Sequence, residues 1–393
     1  MDASLVTISL WCLLSLPVTV SSILAAGSQT AAASPVRVIE QSLSEGKPEP
    51  ARRALVQLLE TPRVDSDTLM HAGMSFAQQE LYSEAAQAFA RCARDFPAVF
   101  EAHYNLALAY LALQKHEEAW AALEKAPQAS SRQRSAQSYM KGKILLATDR
   151  LDEAERELSG AFQATPREEN YALDLGLLRV RKRNQVGAIE VFSQGVSYHP
   201  RSAPLLLGLS LAQLLGGQRS ESIQSSQRLL KLDPAFGPAQ LLLAFTLYHD
   251  GQLEEARKTV VTALSKPNPH PYVRYLHAAV LQKLQSTDYE TILSELSLAS
   301  RSIPGCALCY LGEAKVYRAQ GKFELAIGAL EKAVRLDPSF SEAWYHLSIV
   351  YGRAGRKDDA SKASAEFSRL KSEKTNRETE LLRTLFLQTM SQQ

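Results

Sequence analysis

At 393 residues the chain is longer than one typical compact domain. Its 44 basic and 42 acidic residues leave a net charge of +2, so nothing in its overall charge draws it to nucleic acid or to an anionic membrane. A chain of this length can do without one large core if it is built of units that each contact only their neighbours.

The first element is residues 5–24, LVTISLWCLLSLPVTVSSIL, an apolar run without a charge. It suits a signal-peptide core or a membrane span. Ala25, Ala26, Gly27 and Ala31 to Ala33 offer small residues for cleavage. Against a signal peptide, Asp2 precedes the run, no Lys or Arg does, and Pro17 interrupts it. Arg37, Lys47, Arg52 and Arg53 follow it, which for an anchor would favour repeats on the cytoplasmic side. The alternatives are export, cleaved or anchored, a membrane anchor with cytosolic repeats, and a wrongly assigned start codon; export is the expectation carried forward. Trp11 before Cys12 does not fit a lipoprotein cleavage box.

From about residue 32 to residue 374 short residues, aromatics and prolines recur every 34 residues or slightly more. Such a period signals stacked helical hairpins. In the copy from Ser341, the residues Trp344, Leu347, Ser348 and Tyr351 fall on one helix face. Gly355 ends that helix and Asp358 and Asp359 open the next. The same pattern stands one period earlier in Tyr310, Ala314, Tyr317, Gly321, Phe323, Ala326, Leu330, Ala333 and Pro338. Further copies start near Ser66, Phe100, Ser135, Glu169, Ala203, Gly237 and Val273, with a degenerate one near Ala32. The eighth place is Gly73, Ala107, Gly142, Gly176, Ser210, Ala244, Ala314 and Ser348 in successive copies. The twentieth is Ala51, Ala85, Ala119, Ala154, Ala188, Ser222, Ala256, Ala326 and Ala360. Small side chains there let two helices approach closely, with Phe89, Tyr110, Phe192 and Leu330 filling the space around the contact. Prolines such as Pro97, Pro166, Pro200 and Pro338 stop the second helix.

These residues resemble the tetratricopeptide repeat family. The resemblance implies an all-α superhelical solenoid of about nine to ten helix hairpins. Thr375 and Glu378 form a capping-box pattern, and Leu381, Leu382, Leu385 and Phe386 an apolar stripe, so residues 375–390 are expected to be a capping helix over the last hairpin. The expected organisation is 1–31 signal peptide or anchor plus linker, 32–266 a first repeat block, 267–272 a proline-rich break, 273–374 a second block, and 375–393 the capping helix and tail. The break rests on the alternating prolines of KPNPHP at Lys266 to Pro271, where two residues are inserted relative to the period. In the copy from Val273, branched Val280 and Ile292 fall in the two small places. That copy is either simple drift or a hinge, and proteolysis near Asn268 would favour the hinge.

Candidates for chemistry are few. Arg179, Arg181, Lys182 and Arg183 cluster at a first-helix C-terminus, as a solvated structural group or as a contact for an acidic partner. Cys92 takes a place that is Ala in several copies and reads as packing. Cys306 and Cys309 form a solitary CxxC at a helix start, with no second pair for zinc and Tyr310 where haem attachment needs His. Packing, a reversible disulfide and a redox pair remain open for it; an exported chain would hold it oxidised. His116 and Glu117 begin like a zincin helix, but Trp120 replaces the second His, and Gly208, Ser210 and Ala212 lack the strand of a nucleophile elbow. The expectation is no enzyme, no cofactor and no metal.

The family resemblance places the fifth, ninth and twelfth residues of each first helix on a concave face. In three central copies these are Leu173, Leu177, Val180; Leu207, Leu211, Leu214; and Leu241, Phe245, Tyr248, all apolar. They either pack internally or form a groove for an amphipathic helix or other apolar segment. Edge copies are more polar, with Tyr104, Asn105, Tyr139, Lys143, Lys315, Arg318, Tyr345 and Arg353. The Lys and Asn places with which family members clamp a peptide carboxylate are not matched. The reading is a non-catalytic scaffold or adaptor for a protein or peptide segment. The alternative is a carrier or sensor for an apolar small molecule or for a redox signal through Cys306 and Cys309.

Overall fold

The computed structural model describes residues 34–127, 130–267, 269–370 and 377–391. Among these residues there are twenty-one α-helices and no strand. The expected apolar run at 5–24, Cys12, Asn268 and the capping residue Thr375 lie outside the described residues. The chain forms two compact units that divide between Asn184 and Gln185.

The first unit contains the hairpins α1 (Pro35–Ser44) with α2 (Pro48–Glu60), α3 (Ser66–Gln78) with α4 (Tyr82–Asp95), α5 (Phe100–Ala112) with α6 (His116–Glu124), and α7 (Ser131–Ala147) with α8 (Leu151–Ala164), and then α9 (Glu169–Arg181). The second opens with α10 (Gln185–Tyr198). Its hairpins are α11 (Ala203–Leu215) with α12 (Arg219–Leu232), α13 (Gly237–Asp250) with α14 (Leu253–Leu264), α15 (Pro271–Lys283) with α16 (Tyr289–Ser302), α17 (Ala307–Ala319) with α18 (Phe323–Leu336), and α19 (Ser341–Arg353) with α20 (Lys357–Leu370). A last helix, α21 (Arg377–Ser391), follows. The fold is the expected all-α array of helix hairpins with a helix after the last one.

The small places do what their size suggests. Ala85, Ala119, Ala154, Ala188, Ala256 and Ala326 have no exposed surface. A Cβ at Gly73 would stand 2.4 Å from a ring carbon of Phe89, and one at Gly142 would stand 2.6 Å from Cγ of Leu158. The large residue of a second helix therefore seats itself on its own first helix. In other hairpins the corresponding residue reaches the next copy. A Cβ at Gly208 would meet the Phe192 ring at 2.5 Å, and one at Gly312 would meet Leu296 at 2.9 Å. This sixth-place contact between successive hairpins went unnoticed in the sequence because most copies carry larger residues there.

Each first helix ends in the same way. The fifteenth residue of a copy turns left-handed, as at Gly321 (φ +72°) and Gly355 (φ +80°). The next amide then bonds back five residues, Lys322 N–H to the Tyr317 carbonyl at 2.9 Å and Arg356 N–H to Tyr351 at 2.9 Å. Glu80, Gln114 and Asp149 take the same conformation at φ +59°, at a cost of roughly 1–2 kcal/mol each for a side chain in that region.

The irregular copy has a different register from the expected one. α15 begins at Pro271, and its left-handed residue is Gln285. Counted from Pro271, the eighth place is Ala278, which is fully buried, and not Val280. The two extra residues are Ser286 and Thr287, lying between Gln285 and Asp288, whose side chain caps α16 by accepting from the Thr291 amide. The crossing of α15 is thus small after all, opposite Ile292 and Leu296 in one buried cluster. The sequence period hid this because it counts an insertion without locating it.

In the second unit one crossing is polar. Ser210, Ser222, Ser226 and Thr246 are buried; Ser222 stands where most other copies carry alanine, and Ser226 where they carry Phe89, Leu158, Phe192 or Leu330. Ser210 Oγ lies 2.6 Å from Ser226 Oγ and 3.0 Å from Ser222 Oγ, and Ser222 donates to the Ser210 carbonyl at 2.8 Å. Mutual hydrogen bonding allows these hydroxyls to be buried without desolvation penalty going uncompensated.

Candidate functional site

Of the nine candidate groove residues, three are on α9 in the first unit and six on α11 and α13 in the second. Val180, Leu207 and Leu211 have no exposed surface, and Leu214, Leu241 and Phe245 are buried. Leu173, Leu177 and Tyr248 are half-buried. The face is apolar, and much of it is covered.

In the first unit α7 and α9 meet through polar and aromatic side chains. The Tyr139 hydroxyl donates to Asp174 Oδ2 at 2.6 Å, and Lys143 Nζ donates to the same oxygen at 2.8 Å. The Tyr139 and Tyr171 rings stack with centroids 4.2 Å apart. Burial and the neighbouring Asp174 carboxylate push the Tyr139 hydroxyl far above the usual range, so it stays a donor. The basic cluster at the end of α9 is also engaged. Arg179 and Lys182 share Glu155 at 3.1 and 2.6 Å, Lys182 also reaches Asp152 at 2.5 Å, and Arg181 reaches Asp149 at 2.7 Å. Burial raises the Glu155 pKa, but its bonds to Lys182 and Arg179 overcome that and hold it below the usual range.

In the second unit α21 lies against first helices of earlier hairpins. Leu381, Leu382 and Leu385 face a wall made by Leu241 and Phe245 of α13 and Tyr272, Tyr275 and Leu276 of α15. Leu382 and Phe386 are buried. At the other end Arg377 donates to the Ser339 carbonyl at 2.8 Å and pairs with Asp337 at 3.4 Å, in the turn before α19. The sequence reading laid this helix over the last hairpin; its contacts reach back as far as α13. Sequence could give the stripe of α21 but not its seat, because a stripe specifies an apolar surface without saying which one.

One charge sits at this seat. The Tyr275 hydroxyl donates to Glu378 Oε1 at 2.5 Å, and His249 Nε2 stands 3.2 Å from Glu378 Oε2. Burial works against ionisation of Glu378, yet the bonds from His249 and Tyr275 outweigh it and hold the carboxyl below its usual range. His249 is itself fixed by Phe245, 4.2 Å between ring centroids, and by the edge of Tyr248 at 5.0 Å. Lys283 lies over the Tyr248 ring at 4.4 Å. Sequence reasoning did not single out His249, Tyr272 or Tyr275. His249 follows Tyr248 at the end of a first helix, and only its distance to Glu378 gives it a role. The seat is not closely filled: an apolar cleft remains between α21 and the wall.

Elsewhere, Cys306 and Cys309 are joined by a disulfide at the start of α17, and both are buried. Cys92 is free and buried, and burial pushes its thiol up to about 11. No described helix is long and apolar enough to cross a membrane.

Models described as tetratricopeptide repeat match residues 70–133 and 217–280, and one described as TPR repeat matches 314–355. Solved structures with a similar course include MamA residues 41-end from Desulfovibrio magneticus, 22% identical over 44% of this chain and 97% of that one, with a TM-score of 0.38. A tetratricopeptide repeat protein from Parabacteroides merdae is 14% identical over 64% of this chain and 98% of its own, with a TM-score of 0.45. YrrB, described as a TPR protein with an unusual peptide-binding site, is 14% identical over 50% and 97%, with a TM-score of 0.38.

Proposed function

Since this chain is a tetratricopeptide-repeat protein, we propose that it is a non-catalytic scaffold or adaptor that binds a protein segment on the first helices of its second unit. One observation carries the reading: the wall of Leu241, Phe245, Tyr272 and Leu276 is apolar, and beside it His249 and Tyr275 converge on a single carboxylate. An apolar floor with one charge-specific contact suits an amphipathic helix. It has no nucleophile–base pair of the kind acyl or phosphoryl chemistry needs. A net charge of +2 gives no general attraction to nucleic acid, so the proposed partner is a protein segment.

The proposal includes export, supported by the uncharged run at 5–24 and by the bonded Cys306–Cys309 pair, which suits an oxidising compartment. A second reading, a carrier for an apolar small molecule, would need more space than the cleft beside α21, which has room for little more than a water molecule. The test is expression of the full chain with a C-terminal tag in its native cell, followed by fractionation, reading of the mature N-terminus and identification of crosslinked proteins. A partner captured by the wild-type chain and lost with Phe245→Ala and Tyr248→Ala supports the scaffold. Capture that both variants leave intact sinks the groove, and an uncleaved cytosolic chain sinks export.

A further inference from the structure

We propose that α21 is a tethered occupant of the second unit's groove, holding the place of a partner helix of the same chemistry. That partner is an amphipathic helix with a carboxylate followed three, four, seven and eight residues later by large apolar side chains. The pattern is that of Glu378 with Leu381, Leu382, Leu385 and Phe386. The inference rests on the scaffold reading and deepens it by naming the ligand class and what controls access.

Four observations lead here. First, α21 occupies its site as a ligand does, with side chains on α13, α15 and the turn before α19, three places far apart in the chain. Second, the contact is addressed. Tyr275 and His249, on two different first helices, both reach one carboxylate whose side chain is 22% exposed. An apolar cap would need no such carboxylate, and its partial burial without the Tyr275 hydroxyl and the His249 ring nitrogen beside it would be costly. Third, the fit is incomplete. A small apolar cleft, with room for little more than a water molecule, stays between Leu241, Phe245, Tyr272 and Leu276 on the wall and Leu381 and Leu385 on the helix, so a side chain larger by about a methyl group could fill it. Fourth, α21 is attached through residues 371–376, which makes its binding unimolecular. A short tether supplies an effective concentration of order mM, so a helix of only moderate affinity keeps the groove mostly closed, and an external helix must compete with it.

The probe is a fluorescein-labelled peptide of residues 377–391, titrated by anisotropy into the full chain. Three chains are compared: wild type, a chain carrying Leu382→Lys and Phe386→Lys to release α21, and a wild-type sequence with a protease site placed within 371–376 and cut. The released and cut chains are expected to bind the peptide roughly 10–100-fold more tightly than wild type. A Glu378→Lys peptide should lose at least tenfold on the same chains. Equal affinity for all three chains overturns the tethered occupant, as does no binding to the cut chain once diluted free of its own α21. Concentration-dependent dimers in which α21 is exchanged between copies overturn it too, since the occupant would then act in trans. If the released chain melts early, the cut chain decides, because its helices keep every native side chain. The two readings fail separately. If the peptide does not bind but Phe245→Ala still abolishes capture of a cellular partner, the occupant falls and the scaffold stands. Peptide binding with capture unaffected by Phe245→Ala gives the reverse.

Discussion

Alanine at Gly73 tests the close approach on which the hairpin geometry rests. The new Cβ would stand 2.4, 2.7 and 2.8 Å from three ring atoms of Phe89, where carbon atoms ordinarily rest about 3.5–4.0 Å apart. The ring must retreat by about 1 Å, and it is buried with little room to do so. Overpacking of this kind costs about 1–3 kcal/mol. Against that, alanine is better than glycine inside a helix by about 1 kcal/mol, which leaves a net loss near 1 kcal/mol. Gly160 in α8 is the control, because a Cβ there meets nothing within 4 Å, so only the helical gain applies. In thermal unfolding followed by circular dichroism, Gly73→Ala should lower the midpoint by about 2–4 °C and Gly160→Ala should raise it by a similar amount. Combining Gly73→Ala with Phe89→Ala should erase the penalty of the alanine, because the side chain that meets it is gone. If Gly73→Ala stabilises as much as Gly160→Ala, the helices are not held apart by the width of one hydrogen atom, and the small-residue argument fails.

Ser210→Ala alone should destabilise the second unit by about 1–2 kcal/mol in urea unfolding, because it strips the partner from the buried Ser226 hydroxyl. Replacing Ser210, Ser222 and Ser226 together with alanine should recover most of that loss. Glu155→Gln should cost about 1–3 kcal/mol by leaving Arg179 and Lys182 side by side without their shared partner; a double-mutant cycle with Lys182→Met measures the coupling. Glu378 has its folded pKa below the unfolded value, so its contribution to seating α21 is complete above about pH 4.3 and is lost as pH falls through the folded value. Methyl signals of Leu382 followed by NMR from pH 7 to 3 should show α21 leaving its seat, and Glu378→Gln should remove that dependence while weakening the seat at neutral pH.

Much of the fold was legible because hairpin repeats write themselves in size as well as hydropathy. Ala85, Ala119 and Ala326 could be aligned by eye, and each sits at a crossing. Gly321 and Gly355 marked their own turns. Gln285 did not, since a left-handed glutamine looks like any other, and the register of α15 was misjudged by two residues as a result. The ionic partners of the basic cluster were hidden for a related reason. Asp149, Asp152 and Glu155 lie 24 to 32 residues earlier in the chain, where they read as an ordinary acidic helix start. The groove residues could be listed but not weighed, because the helix that covers some of them comes more than 130 residues after Leu241, and its stripe carries no address.

The reach of Phe192 and Leu296, each filling the gap left by a glycine in the following copy, bears on how such a chain can change its length. A seam made by one large residue and the glycine sixteen places after it ties two particular copies together. Removing the copy that carries the glycine would bring the Phe192 ring against Leu242, or the Leu296 side chain against His346, the sixth residues of the copies next in line. Each of these two seams therefore fixes which hairpin follows which, and the copies on either side of it are inherited as a pair.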